Sequence, residues 1–357
     1  MSGTGDNFDP DGPGDGEGLF GLDVPPGDAS VQVVPVPWDA TASYGRGAHR
    51  APGAILRASQ QVDLYDLEYG EIWRHGVSLL PLVPGLSEWQ ARAEPLARRV
   101  IGSGGQLPGL AAEVDELGDR VHAVVREQVR SVLARGATPG VLGGDHSCTL
   151  GLLQAVSDQF PGLGVLHVDA HADLRPAYQG FRGSHASIMH EVLELEGIGR
   201  IVGVGYRDLG RVEVDRVESE PERIRAWFDP ELAYRAARGV PWMDTCEAIV
   251  EELPERIHVS LDIDGLDPSL CPSTGTPVPG GLSFRDLQVL LSMVAARRTV
   301  VSFDLCEVTP GVTNLDVIIG ARVLYKLAGC ALASQGRCGV VDPTDAQGYV
   351  LPPREAP

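Results

Sequence analysis

Positive charge is in short supply in this 357-residue chain, with 29 Lys and Arg against 49 Asp and Glu and a formal net charge of −20. A nucleic-acid partner needs a basic patch and none is visible, so that class is excluded. Neutral or cationic small molecules fit the balance better. Cysteine is sparse too: Cys148, Cys246, Cys271, Cys306, Cys330 and Cys338 include no C-x-x-C pair. That spacing gives no disulfide framework and reads as reduced thiols. No basic leader with an apolar core opens the chain, and no apolar run approaches the roughly 18 residues of a membrane span. A soluble, cytoplasmic protein with no membrane partner is the expectation.

What the chain does have is enough apolar residue, 43%, to bury a substantial core. Short β-rich runs at residues 31–36, 139–142, 164–168, 200–204, 256–261 and 300–305 alternate with helical patterns. Those patterns fall at 52–59, 114–135, 149–160, 184–196, 283–297 and 315–333. The alternation marks βαβ units around a mostly parallel sheet, an α/β fold. Segments 106–112 and 210–227 read as loops or peripheral pieces. Residues 1–30, rich in Gly, Asp and Pro, read as a disordered acidic tail, 31–340 as one domain, and 341–357 as a flexible C-terminal tail.

Three clusters carry the chemistry: Gly143-Gly-Asp145-His146-Ser147, Asp169-Ala-His171-Ala-Asp173 and Ser260-Leu-Asp262-Ile-Asp264-Gly-Leu-Asp267-Pro268. Each follows a strand candidate directly, at the carboxyl ends where open α/β sheets bind ligands. In an extended segment alternate side chains share a face, so Asp169, His171 and Asp173 offer O, N and O donors on one side. Asp262 and Asp264 pair in the same way. Two carboxylates beside a buried strand are costly unless a cation or protons offset them. Carboxylate-rich donors with limited imidazole favour Mn²⁺ over a thiolate-seeking metal, with Zn²⁺, Ni²⁺ and Fe²⁺ not excluded. His146 stays ambiguous at this level, because Asp145-His146-Ser147 reads equally as a cap on the helix that follows.

Together the three motifs, in this order, resemble the ureohydrolase family, which includes arginase, agmatinase and related amidinohydrolases. The resemblance runs over roughly residues 31–335. It implies a three-layer α/β/α sandwich, the arginase-like fold, with two Mn²⁺ per subunit. By motif position it implies a first metal on His146, Asp169, Asp173 and Asp262 and a second on His171, Asp169, Asp262 and Asp264. Asp169 and Asp262 would then bridge. Two closely spaced metals lower the pKa of a shared water, which can attack a guanidinium carbon and release urea and an amine. Glu307, in Phe303-Asp-Leu-Cys-Glu307-Val-Thr-Pro310, matches the family position that contacts the guanidinium. His185, in Gly183-Ser-His185-Ala-Ser187, matches the family histidine suited to proton transfer. Thr276 is a candidate hydroxyl behind the metals. The family also implies a homo-oligomer, a trimer or hexamer.

The motifs leave the amine half of the substrate open. Arginases begin their amino-acid-reading loop with an asparagine where this chain has Arg175, so the arginase loop is not reproduced. Agmatine, cleaved to putrescine and urea, is the expected substrate. Guanidinobutyrate, formiminoglutamate, arginine and guanidine are the alternatives within the family, and an inactive metal-binding relative is the alternative outside catalysis. Arg175 pulls weakly toward an acidic substrate, unless a neighbouring acid pairs with it.

Overall fold

Runs that are apolar on both faces, such as Val31-Gln-Val-Val-Pro-Val36, form strands sealed on both sides by helices, and all six of these residues are buried. The computed structural model describes residues 9–14, 16–345 and 349–352. In chain order the elements are β1 (Val31–Val36), α1 (Ala51–Ser59), β2 (Val77–Leu79), α2 (Leu86–Gly102), α3 (Pro108–Ala134), β3 (Thr138–Gly143), α4 (Leu150–Gln159), β4 (Leu163–Val168) and α5 (Ile188–Leu193). They continue with β5 (Ile198–Tyr206), α6 (Arg211–Ser219), β6 (Ile224–Phe228), α7 (Asp229–Ala237), α8 (Trp242–Glu251), β7 (Arg256–Asp262), α9 (Phe284–Arg297), β8 (Thr299–Cys306) and α10 (Leu315–Ser334).

One sheet of eight parallel strands runs β2-β1-β3-β8-β7-β4-β5-β6. The expected α/β fold is present, and the sheet is parallel throughout the described residues. Its alternate faces feed two cores. Val31 and Val33 join α1, α8, α9 and α10 on one side. Val34 and Val36 join α2, α3, α4 and α5 on the other, which completes the three layers.

Four expectations need correction. Segment 106–112 is mostly helix, because Pro108 starts α3 at the position where its missing N–H costs nothing. Segment 210–227 holds α6 and most of β6. The charged sequence of α6 buries only Glu213, whose carboxylate accepts the Gly210 amide at 2.7 Å, so no apolar stripe announces the helix. The tail expected through residue 30 is packed from Leu19 onward: Leu19, Phe20 and Leu22 are buried, and Phe20 lies against Tyr325 with ring centroids 4.6 Å apart. Residues 1–8, 15, 346–348 and 353–357 lie outside the described residues. Finally, α10 is long and apolar enough by composition to cross a membrane, but 72% of that stretch is buried in the fold. All six cysteines are free.

Candidate active site

Strand order decides where the clusters meet. β3 and β4 follow one another in sequence, yet β8 and β7 lie between them in the sheet. Connections therefore depart in opposite directions from this point, and the carboxyl ends of β3, β8, β7 and β4 open onto one crevice. Glu307 follows β8, His146 follows β3, Asp169 follows β4, and Asp262 ends β7.

All eight sequence-derived residues come together there. His146 Nδ1 lies 3.1 Å from Asp169 Oδ2, 3.4 Å from Asp173 Oδ2 and 3.5 Å from Asp262 Oδ2. His171 Nδ1 lies 3.4 Å from Asp169 Oδ1 and 3.2 Å from Asp264 Oδ2. Asp169 thus turns one oxygen to each imidazole. Asp262 reaches the first group through Oδ2, while its Oδ1 accepts the Asp264 amide at 2.8 Å. Thr276 Oγ1 donates to Asp264 Oδ2 at 3.3 Å.

Glu307 is not a solvated strand end. It is 5% exposed and accepts the His146 amide at 3.1 Å. Its carboxylate also faces His185 Nδ1 at 3.3 Å. Both Glu307 and Asp173 sit at positive φ, 62° and 53°, a strained choice for non-glycine residues that concentrates at functional sites. Burial works against charge on His185, but Glu307 outweighs it and pushes the imidazole up to about 9. That is above the near-neutral value expected of a shuttle, and it favours the protonated imidazole at neutral pH.

Electrostatics expose an imbalance. Burial lifts Asp262 well above the ordinary carboxylate range, and the charges of Asp264 and Asp169 add to it. Asp264 is raised by burial and by Asp169. Burial opposes charge on His146, yet Asp169, Asp173 and Asp262 hold it well above its usual value. His171 is pushed up to about 12 by Asp169 and Asp264 against the same penalty. Asp169 goes the other way: burial opposes its charge, yet His167, His146 and His171 hold it well below its usual range. Raised Asp262 and Asp264 beside raised imidazoles mark a pocket short of positive charge, and divalent cations relieve that shortage. Ligand atoms of His146, His167, Asp169 and Asp173, and again of Asp169, His171 and Asp264, lie within 4.8 Å of one another. Donor type, burial and charge fit a pair of metal ions.

Sequence reading missed His167, and it read Asp145 only as part of a possible helix cap, whereas the Asp145 side chain makes no capping hydrogen bond. His167 stands two residues before Asp169, so the His-x-Asp-x-His-x-Asp alternation was the available signal. Asp145 takes hydrogen bonds from Thr41 Oγ1 at 2.9 Å and Ser147 Oγ at 2.5 Å, and burial together with the Glu307 charge pushes it up to about 7. Thr41 also accepts the His185 amide at 3.1 Å, so Asp145 supports the loop that carries His185.

Fold and site together define a hydrolase of the arginase type, and comparison places the chain. The Arginase family model matches residues 29–330, and the chain belongs to that family. It is an arginase-family ureohydrolase, a hydrolase of C–N bonds in linear amidines, with agmatinase-type relatives. An N(1)-aminopropylagmatine ureohydrolase of Thermus thermophilus is 35% identical over 316 residues, 87% of this chain and 94% of the relative. An agmatinase of Pyrococcus horikoshii is 27% identical, over 85% of this chain and 92% of its own length. Among solved structures, the agmatine ureohydrolase of Thermoplasma volcanium superposes with a TM-score of 0.69 at 25% identity, covering 87% of this chain and 93% of that one.

Proposed function

We propose that this enzyme releases urea from a guanidino compound that carries a distal amine, agmatine or its N(1)-aminopropyl derivative, with two Mn²⁺ held by His146, Asp169, His171, Asp173, Asp262 and Asp264. The observation that carries the substrate half is the wall of the cavity above the cluster. This space of about 120 Å³ is lined by Asp173, Asp208, Glu213 and Asp262. The one arginine among its described lining residues, Arg175, is already engaged. Its Nε lies 3.2 Å from Glu213 Oε2, and its guanidinium covers the Tyr178 ring at 4.8 Å. No unpaired arginine or lysine among the described lining residues remains to receive a substrate carboxylate, and the two imidazoles there, His171 and His185, already face Asp169, Asp264 and Glu307, so an amine is the favoured tail. Names of the Thermus and Pyrococcus relatives support the same choice.

A pair of divalent cations, when bound, supplies Lewis acidity and an acidified water. Glu307 orients the planar guanidinium by charge-assisted hydrogen bonds. Addition of the water oxygen at the guanidinium carbon is followed by cleavage of the bond to the alkyl nitrogen, and His185 donates the proton that lets the amine leave. Urea and the protonated amine account for all atoms of the guanidinium substrate and water. The carboxylate-rich donor set favours Mn²⁺. Urea release would be measured from agmatine, N(1)-aminopropylagmatine, arginine, guanidinobutyrate and guanidine, with formamide read separately from formiminoglutamate. Highest kcat/KM for an acidic substrate overturns the amine assignment, and no turnover of any of them overturns catalysis. A cytoplasmic homo-oligomer, trimer or hexamer, without nucleic-acid or membrane partner completes the proposal, and light scattering of purified protein tests the assembly.

A further inference from the structure

Register between β4 and β5 sets His167 beside Gly203. A Cβ at Gly203 would overlap the Tyr206 ring and hydroxyl, so glycine is what lets the phenol fold back over the sheet. There the Tyr206 hydroxyl meets His167 Nδ1 at 2.6 Å, with the two rings edge to face at 5.4 Å. Both side chains are buried, His167 completely. The other ring nitrogen, Nε2, lies 2.9 Å from Asp169 Oδ2, the oxygen that also faces His146. Its approach is off the hydrogen-bond axis, so this buried nitrogen has no hydrogen-bond partner among the described residues. At 2.9 Å, Asp169 Oδ2 is nonetheless within hydrogen-bonding distance of it. A phenol O–H donating into Nδ1 leaves the imidazole proton on Nε2, the side that faces Asp169.

We propose that Tyr206 and His167 are positioning residues for Asp169, the carboxylate that faces both halves of the metal cluster. Tyr206 sets the tautomer, and His167 holds Asp169 Oδ2 in place. Groups that orient a ligating side chain in this way typically tune metal affinity by roughly 10–100-fold. The inference rests on the metal-cluster reading of the site, but not on the choice of substrate.

Its test is metal binding by the full-length protein. Wild type, Tyr206→Phe, His167→Gln and His167→Phe would be stripped of metal and titrated with Mn²⁺. Bound metal would be counted by mass spectrometry, and the coupling between ions read by electron paramagnetic resonance. Two Mn²⁺ at saturation are expected in every protein, with affinity about tenfold weaker in Tyr206→Phe and further reduced in His167→Phe. His167→Gln, which keeps an N–H donor, is expected to recover part of that loss, and the coupling signal should change in the weakened variants. Fewer than two Mn²⁺ in wild type overturns the metal-cluster reading and this inference with it. Two in wild type with unchanged affinity in the variants overturns this inference alone. Loss of a whole equivalent in His167→Phe makes His167 a ligand and overturns the positioning role. A lower melting temperature of the metal-stripped variants with unaltered Mn²⁺ affinity assigns the pair to folding only, and overturns it as well.

Discussion

Two buried acid–imidazole clusters lie on neighbouring strands and behave in opposite ways. Inside the sheet, Asp304 meets His258 Nε2 at 2.7 Å and accepts from Ser260 Oγ at 3.2 Å, while His258 Nδ1 contacts Ser302 Oγ at 2.8 Å. Thr149 donates to Asp304 as well. Burial opposes charge on Asp304, but His258, His146 and Thr149 outweigh it and hold the acid below its usual range. At the strand ends, burial and neighbouring acids raise Asp262 and Asp264 instead. Residue types and burial match, and only the balance of charge differs. His146 joins the two, its Nε2 2.8 Å from Ser260 Oγ and 3.7 Å from Asp304 Oδ1. The cluster whose acid meets enough donors is structural, whereas the one with surplus carboxylate is completed by something the chain does not carry.

The largest expected effects fall on the unbalanced cluster. Asp169→Asn should empty both metal positions and cut kcat by more than the roughly 10–100-fold typical of a residue behind a metal ligand. Asp264→Asn should mainly empty one. Equal metal loss in the two variants would break the division of Asp169 between His146 and His171. His185→Ala should keep both metals and lower kcat by about 10²–10⁴ in steady-state assays, the usual worth of a general acid. In the balanced cluster, Asp304→Leu strands the His258 imidazole and should cost about 3–5 kcal/mol in urea denaturation, with two Mn²⁺ still bound by the folded protein. Metal loss there without destabilisation would erase the contrast.

His122 sharpens the comparison from a third side, since no carboxylate among the described residues pairs with it directly. Burial pushes it down to about 4, and its Nε2 has no hydrogen-bond partner among the described residues. A depressed histidine binds its proton more readily in the unfolded chain. Its contribution to stability is therefore complete above about pH 6.5 and lost as pH falls toward 4, by roughly 3 kcal/mol in all. His122→Leu should flatten that part of the stability profile in denaturation at pH 7, 5.5 and 4.5. An unaltered slope would place the acid sensitivity elsewhere. The smallest change expected is at Thr276→Val, which removes one hydrogen bond to Asp264 and should weaken Mn²⁺ binding by about tenfold or less.

Legibility followed the range of the interactions. Six of the eight strands were readable because their apolar runs are local and sealed on both faces. β2, with three residues, and β6, with its arginine, carry too little pattern. Helix α6 was hidden because it buries a capping glutamate rather than an apolar stripe. Packing of Leu19 and Phe20 was unreadable in a stretch dominated by Gly, Asp and Pro, since it depends on Tyr325 some three hundred residues away.

By itself the sequence determined the donors: which residues alternate on one face at each strand end, and hence the metal-type chemistry and the ureohydrolase resemblance. Side-chain alternation is a property of the extended backbone, so it needs no partner strand. Only the tertiary structure decided what those donors meet. The order β3-β8-β7-β4 brings three distant motifs into one crevice, Glu213 pairs with Arg175 on the cavity wall, and Gly203 makes room for Tyr206 to reach His167. Each depends on non-local packing and on how charge balances after burial, neither of which local spacing contains.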